Sequence, residues 1–324
     1  MARWTWLLVA VMCLVATCGR GTTTLQTAPK SIPSVPVTII PVDPSSTTLP
    51  EVPTTAVTVP AGDPCTRPDR TRILFDRRMP GSEPIEHVFS VNADGSCLAQ
   101  LTHGTTHVLN WGASWSPDGK HIAFIRKDAG VMVADWDGSH ERLLLAETKV
   151  QPSGAHTDWS PDGTRIVASR EDGVWIVDAL SGAATHVAGD INAGYACWSP
   201  DGKQVAYGEV VNDRAVVSVV NADGSGHRVV ADRATQPDWG VNNRIVYFDG
   251  NEMQTVKPDG SDVRAVPGST NTGAPRWNAD ATRIVGSIGS GGMKVFDPDK
   301  GFLFVVNTGA GADASGGTDY DDDW

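Results

Sequence analysis

Trp115-Ser-Pro-Asp-Gly119-Lys, Trp159-Ser-Pro-Asp-Gly163-Thr and Trp198-Ser-Pro-Asp-Gly202-Lys are three near-copies of one hexapeptide. Weaker copies begin at Trp239 and Trp277, and the chain ends on Trp324. Successive steps between these tryptophans are 44, 39, 41, 38 and 47 residues. A period near forty is the length of one propeller blade. Ser-Pro-Asp-Gly suits a type I turn, with Pro fixing φ at the second position and Gly closing the fourth.

Each turn is followed by a short apolar strand: Ile122-Ala-Phe124-Ile, Ile166-Val-Ala168, Val205-Ala-Tyr207, Ile245-Val-Tyr-Phe248 and Ile284-Val285. A second strand then runs into an Asp-Gly or Ser-Gly turn, as in Val131 to Gly138 and Val216 to Gly224. A third strand follows, such as Arg142-Leu-Leu-Leu145 or Arg228-Val-Val230, before a loop leads to the next Trp strand. Four short strands with tight turns and no helical period make one antiparallel blade. Their apolar residues fall on successive positions, so both faces are buried, as in sheets stacked around a ring.

The same grammar begins before the first Trp. Arg72-Ile-Leu-Phe75-Asp, His87 to Gly95 and Leu98 to Thr102 read as the later strands of a blade that lacks its Trp strand. Trp324 has nothing after it. One closure resolves both ends: the strand ending at Trp324 joins those of Arg72 to Thr102, leaving no open edge. The expected fold is an all-β, six-bladed β-propeller of four-stranded antiparallel blades.

These repeats resemble the TolB-type propeller family. The resemblance rests on Trp-Ser-Pro-Asp-Gly followed by an apolar strand, on Asn92-Ala-Asp-Gly-Ser96 with Leu101-Thr102, and on Asn221-Ala-Asp-Gly-Ser225. It covers the chain from about Arg72 onward. Trp239 departs from it, being followed by Gly-Val-Asn-Asn, and so does Trp277, followed by Asn-Ala-Asp-Ala; both departures put the local turn geometry in question. The resemblance implies that the Trp strand is innermost, beside the central channel. Pro237 and Pro275, each two residues before a Trp, fit a strand with one unpaired edge. The tryptophans are expected to pack between blades. Propellers of this type also occur in prolyl-oligopeptidase-like enzymes, where a separate hydrolase domain carries the nucleophile. Here the last expected blade ends the chain.

The N-terminal part is of another kind. Arg3 precedes an apolar stretch from Trp4 to Ala16, which reads as an export signal over residues 1–17. Val15-Ala16-Thr17-Cys18 resembles a bacterial lipoprotein box, with Cys18 the lipidated residue, although Thr17 and Val15 depart from its usual residues. Lipid anchoring, plain secretion and an uncleaved anchor all place the rest of the chain outside the cytoplasm. Residues 18–64 are rich in Thr, Pro, Ser and Val and read as a disordered tether. The propeller is expected over 65–324. An exported chain admits disulfides. A Cys65–Cys97 bridge would pin the start of the domain, while Cys197 reads as a buried free thiol.

The net charge of −12, with no basic cluster, argues against a nucleic-acid partner. There is no Gly-x-Ser-x-Gly elbow, and His140-Glu141-Arg-Leu-Leu lacks the second His of a zinc motif. Asp-Gly pairs lack the ligand spacing of calcium loops and are explained as turns. No cofactor or metal is expected. The candidate binding residues lie in and before the inner strands, at the channel mouth: His107, Asn110, His156, Asp158, Tyr195, Gln236, Asp238, Arg276, Asp319, Asp321 and Asp323. The expected function is a monomeric, non-catalytic binding module of the cell envelope that engages a protein partner through these loops. The alternative is a propeller lyase or hydrolase acting on a sugar polymer with a channel-bound metal.

Overall fold

The repeated hexapeptide closes the same way each time in the computed structural model. That structure describes residues 64–66, 68, 70–80, 85–105, 108–146, 154–170, 172–190, 193–288, 292–306, 308 and 319–323. The signal segment, Cys18, nearly all of the tether, His107 and Trp324 lie outside the described residues. In the first copy the Gly119 N–H donates to the Ser116 carbonyl at 2.8 Å, with Gly119 at φ 68°. Asp118 Oδ1 accepts from the Ser116 hydroxyl and the Lys120 N–H, and the Ser116 Oγ in turn accepts from the His121 N–H. The copies at Ser160 and Ser199 repeat these bonds. The two divergent turns keep the geometry with other residues. Asn243 and Ala281 hold the left-handed position at φ 59° and 53°, and Asn278 replaces the serine as acceptor for the Arg283 N–H.

Six four-stranded antiparallel sheets result. Blade 1 holds β1 (Ile73–Arg78), β2 (Glu86–Val91), β3 (Ala99–Gln100) and, as its inner strand, β24 (Asp319–Asp323). Blade 2 is β4 (Asn110–Trp115), β5 (His121–Arg126), β6 (Gly130–Asp135) and β7 (Arg142–Ala146). Blade 3 is β8 (Thr157–Trp159), β9 (Arg165–Arg170), β10 (Gly173–Asp178) and β11 (Ala184–Ala188). Blade 4 is β12 (Gly194–Trp198), β13 (Gln204–Val211), β14 (Arg214–Asn221) and β15 (Arg228–Asp232). Blade 5 is β16 (Thr235–Trp239), β17 (Ile245–Phe248), β18 (Met253–Val256) and β19 (Arg264–Ala265). Blade 6 is β20 (Thr272–Trp277), β21 (Ile284–Ile288), β22 (Met293–Asp297) and β23 (Gly301–Val306).

The ring closes where expected. β24 pairs antiparallel with β1, setting Leu74 opposite Asp323 and Arg77 opposite Asp319. The inner strands touch in the cyclic order β24, β4, β8, β12, β16, β20 and back to β24.

Successive apolar residues serve opposite neighbours. Ile73 and Phe75 pack with Val285, Met293 and Val295 of blade 6, whereas Leu74 between them packs with Trp115 and Phe124 of blade 2. Ile122 and Phe124 likewise face blade 1, while Ala123 meets Trp159 and Ile166 of blade 3. Each repeat Trp from Trp115 to Trp277 sits in the apolar cluster shared with the preceding blade. The turn between the third and fourth strands of a blade reaches the same neighbour. A Cβ on Gly138 would stand 1.9 Å from the Leu101 carbonyl oxygen, and one on Gly182 2.2 Å from that of Leu144. Glycine is required there by both the contact and the positive φ. Cys65 and Cys97 are bridged, tying the start of the domain to blade 1.

The inner strands pair on one side only, so some of their N–H groups need other partners. Side chains of the preceding blade supply them. Asp76 Oδ2 accepts from Gly112 N–H at 2.8 Å, Asp158 Oδ2 from Trp198 N–H at 2.7 Å, and Asp238 Oδ2 from Trp277 N–H at 2.6 Å. Ser169 Oγ accepts from Ala196 N–H and Gln236 Oε1 from Ala274 N–H, both at 2.9 Å. At the boundary of blades 2 and 3 the direction reverses: the Thr157 hydroxyl lies 2.8 Å from the Gly112 carbonyl and 3.0 Å from that of Ala123.

Two stability predictions follow from this packing, both read by chemical denaturation. Trp159→Ala removes a side chain only 8% exposed and should cost about 3–5 kcal/mol. An unchanged unfolding midpoint would contradict the interblade role of Trp159. Asp158→Ala leaves the Trp198 N–H without its acceptor and should cost about 1–3 kcal/mol, with Asp158→Asn recovering most of it. Equal losses in the two variants would show that the hydrogen bond is not what matters.

Candidate functional site

The channel side of each inner strand is shaped by a bulge. Pairing with the second strand shifts register between Trp111 and Ser114, Gly194 and Cys197, Thr235 and Asp238, and Gly273 and Arg276. The residue three before the Trp then takes a left-handed conformation: Gly112 at φ 56°, Tyr195 at 54°, Gln236 at 56° and Ala274 at 46°. Only glycine adopts this without strain, so three of the four positions hold it against a Cβ. A bulge re-aims the side chain it carries. Tyr195 lies against Gly154 of the preceding blade, its N–H bonded to the Gly154 carbonyl at 3.0 Å. Gln236 reaches blade 6 through the Ala274 N–H. Blade 3 pairs in regular register and places His156 at the corresponding position.

His156 meets Arg276, 120 residues away, with Nη2 3.5 Å from Nδ1. His156 directly precedes the inner strand of blade 3 and Arg276 lies in that of blade 6, and these blades stand opposite one another in a ring of six. The contact therefore crosses the channel. Arg276 is 1% exposed and His156 2% exposed, and Arg276 Nη1 also donates to the Pro275 carbonyl at 2.9 Å. Burial, reinforced by the neighbouring guanidinium, drives the His156 pKa well below the ordinary histidine range. The ring is thus a neutral imidazole that can accept from Arg276. Burial raises the Asp238 carboxyl, and Arg276 pulls it partly back. Burial also pushes the Cys197 thiol well up, so it stays protonated and unreactive.

Asp158 and Asp238 stand at the repeat position that Arg276 holds in blade 6. Each directly precedes a repeat Trp, and both line a cavity of about 210 Å³ with the indoles of Trp159, Trp198, Trp239 and Trp277, beside the Ser-Pro turns. His156, Tyr195, Gln236 and Arg276 do not line it. The candidate residues are thus distributed along the inner strands rather than gathered in one plane. Asn110 is fully buried and bridges strands, its amide donating to the Glu86 carbonyl at 3.1 Å and accepting from Arg126 Nε at 2.9 Å. Asp319, Asp321 and Asp323 lie in β24, whose backbone pairing alone is described. Trp111 is an addition that the repeat period does not mark. Half-buried next to the bulge, it donates its Nε1–H to the Glu86 carboxylate. Among the described residues no three His, Cys, Asp or Glu side chains are grouped to hold a metal ion.

No family model matches the chain. A curated relative, the Tol-Pal system protein TolB of Anaeromyxobacter dehalogenans (strain 2CP-C), is 32% identical over 128 residues. The match takes in 36% of this chain and 29% of that protein, so the chain covers less than a third of its relative's length. Among solved structures, TolB from Acinetobacter baumannii superposes with a TM-score of 0.65 at 14% identity, covering 78% of this chain and 66% of that one. An oligogalacturonate lyase from Vibrio parahaemolyticus gives a TM-score of 0.51 at 15% identity, over 74% of this chain and 79% of that one. Structural likeness at such identities speaks for the fold alone. The repeat and the six closed blades make this chain a six-bladed β-propeller, similar to TolB in part of its sequence and in its fold.

Proposed function

We propose that the propeller is a non-catalytic binding module of the cell envelope, engaging a protein partner at the mouth of its channel. The observation that carries this reading is the Arg276–His156 contact across the axis. A buried guanidinium beside a neutral imidazole fills the position where a propeller enzyme would gather substrate or a cation. What stays accessible at that level is the strained rim carrying Tyr195 and Gln236, a surface for contact rather than a reaction chamber. The TolB relative, named for the Tol-Pal system, favours an envelope setting, as do the export signal and the tether read in the sequence. In this reading Cys18 carries the lipid that holds the domain at the membrane, and the tether lets the mouth reach its partner.

The second reading, an enzyme acting on a sugar polymer with a channel-bound metal, draws on the oligogalacturonate lyase likeness. In it His156 and Asp158 would be ligands. The Arg276 charge beside His156 works against a second cation there.

The two readings separate in one set of measurements. Envelope extract is passed over the immobilised chain and over its Tyr195→Ala/Gln236→Ala variant. A binding module should retain a protein that the variant releases, with circular dichroism showing both proteins folded at the assay temperature although the variant loses the acceptor of the Ala274 N–H. Retention unchanged by the variant would remove the mouth as the binding surface. Stoichiometric metal in the purified protein, lost in His156→Ala/Asp158→Ala, would establish the second reading instead.

A further inference from the structure

Grooves lie at the boundary of blades 2 and 3 and at that of blades 4 and 5, and the two carry opposite charge. The groove between blades 2 and 3, about 630 Å³, is lined by Asp118, Asp162 and Asp178, with Arg142 the single arginine. The groove between blades 4 and 5, about 590 Å³, is lined by Arg228, Arg244, Lys257 and Arg264 against Asp259 and Asp262. The two are equivalent by construction. Arg142 opens β7 and donates to the Ala179 carbonyl at 2.7 Å, and Arg228 opens β15 and donates to the Pro258 carbonyl at 3.2 Å. One scaffold position therefore holds an excess of carboxylates in one place and an excess of cations in the other.

The cationic groove stands out on a chain of net charge −12. Screening confines fields to about 8 Å at physiological ionic strength, so the local surplus governs what binds there. Asp259 is committed to its own turn, accepting from the Ser261 N–H at 2.9 Å and hydroxyl at 2.6 Å. Asp259 stays ionised and still acts on Lys257, so together with Asp262 it leaves the four cations a surplus of two charges. Asp262 takes Arg264 through Nε and Nη2 at 2.8 and 2.9 Å, Arg244 Nη1 at 2.9 Å, and Lys257 Nζ at 3.6 Å. Hydrogen bonds from Arg264, then from Arg244, hold the Asp262 pKa down at about 2, so it is ionised at neutral pH. Its forked pairing with Arg264 shows how the groove receives an oxyanion. Arg264 Nη1 has no protein partner among the described residues, and the Lys257 ammonium makes no hydrogen bond to one. Lys257 and Arg264 are 52% and 55% exposed.

We propose that the groove between blades 4 and 5 is an oxyanion-binding site, taking a phosphate or carboxylate group through Lys257 and Arg264, with Arg228 and Arg244 completing the positive wall. It is independent of the channel mouth. Binding there requires no movement of the blades, because Asp262 already holds the two nearest guanidinium groups in place.

The test is isothermal titration of the full chain at low ionic strength, with pyrophosphate in one arm and tricarballylate in the other. At least one probe should bind at one equivalent, and the tighter of the two identifies phosphate or carboxylate as the preferred group. Lys257→Gln and Arg264→Gln should each weaken binding about tenfold, the loss of one charge-assisted hydrogen bond. Lys120→Gln, which removes a similar charge from blade 2, should leave it unchanged. Lys257→Gln breaks only a long, exposed ion pair, so it carries the test even if Arg264→Gln lowers the melting temperature. No heat from either probe at millimolar concentration, or equal weakening by Lys120→Gln and Lys257→Gln, would overturn the site.

Discussion

The inner strand of every blade has one edge with no strand beside it, and the architecture turns on how those backbone groups are satisfied. A buried N–H without an acceptor costs free energy comparable to a lost hydrogen bond. Asp76, Asp158 and Asp238 meet that demand from the blade before, so the bonds that satisfy one strand also fix its neighbour. Apolar packing brings the sheets face to face, but it is non-directional. These carboxylates, with Ser169 and Gln236, tie the inner strands of blades 2, 4 and 6 to the blade before by directional bonds. Stacking and directional bonding are therefore separate contributions, made by different residues of the same strand.

The sequence made the fold legible because its signals are local and repeated. Ser-Pro-Asp-Gly encodes a turn within six residues, and a Trp every forty or so residues counts the blades. Even the divergent turns after Trp239 and Trp277 keep their shape, Asn243 tolerating the left-handed position that glycine fills elsewhere and Ala281 holding it against its Cβ. The site was less legible. Tyr195 and Gln236 stand at the same distance before their Trp, yet the bulge that re-aims them depends on pairing with the next strand. The meeting of His156 with Arg276 depends on ring closure, because it joins residues on opposite blades. The cations of the groove between blades 4 and 5 lie 16, 13 and 7 residues apart in the chain, with no run to mark them.

Repeated scaffolds place equivalent residues in equivalent surroundings, so departures from the repeat are where function can be written. The position before the repeat Trp is Ser114, Asp158, Cys197, Asp238 and Arg276 in successive blades, a sequence of neutral, acidic and basic groups around one axis. A strictly symmetric ring would crowd like charges at the centre, with a repulsion that low-dielectric surroundings would enlarge. Alternation avoids this and lets the buried Arg276 charge sit near Asp238.

The bridge between Cys65 and Cys97 has a mechanical meaning. Any pull on the segment before Cys65 enters the domain at Cys97, in the turn that follows β2. The peptide from Thr66 to Arg72 lies inside the covalent loop, so the bridge shares that tension with it. Force is delivered to the outer side of blade 1, and β24, the strand whose hydrogen bonds hold the ring shut, is shielded from a direct tug. Tension arriving from the N-terminal side is in this way led to the outer strands, away from the one that closes the ring.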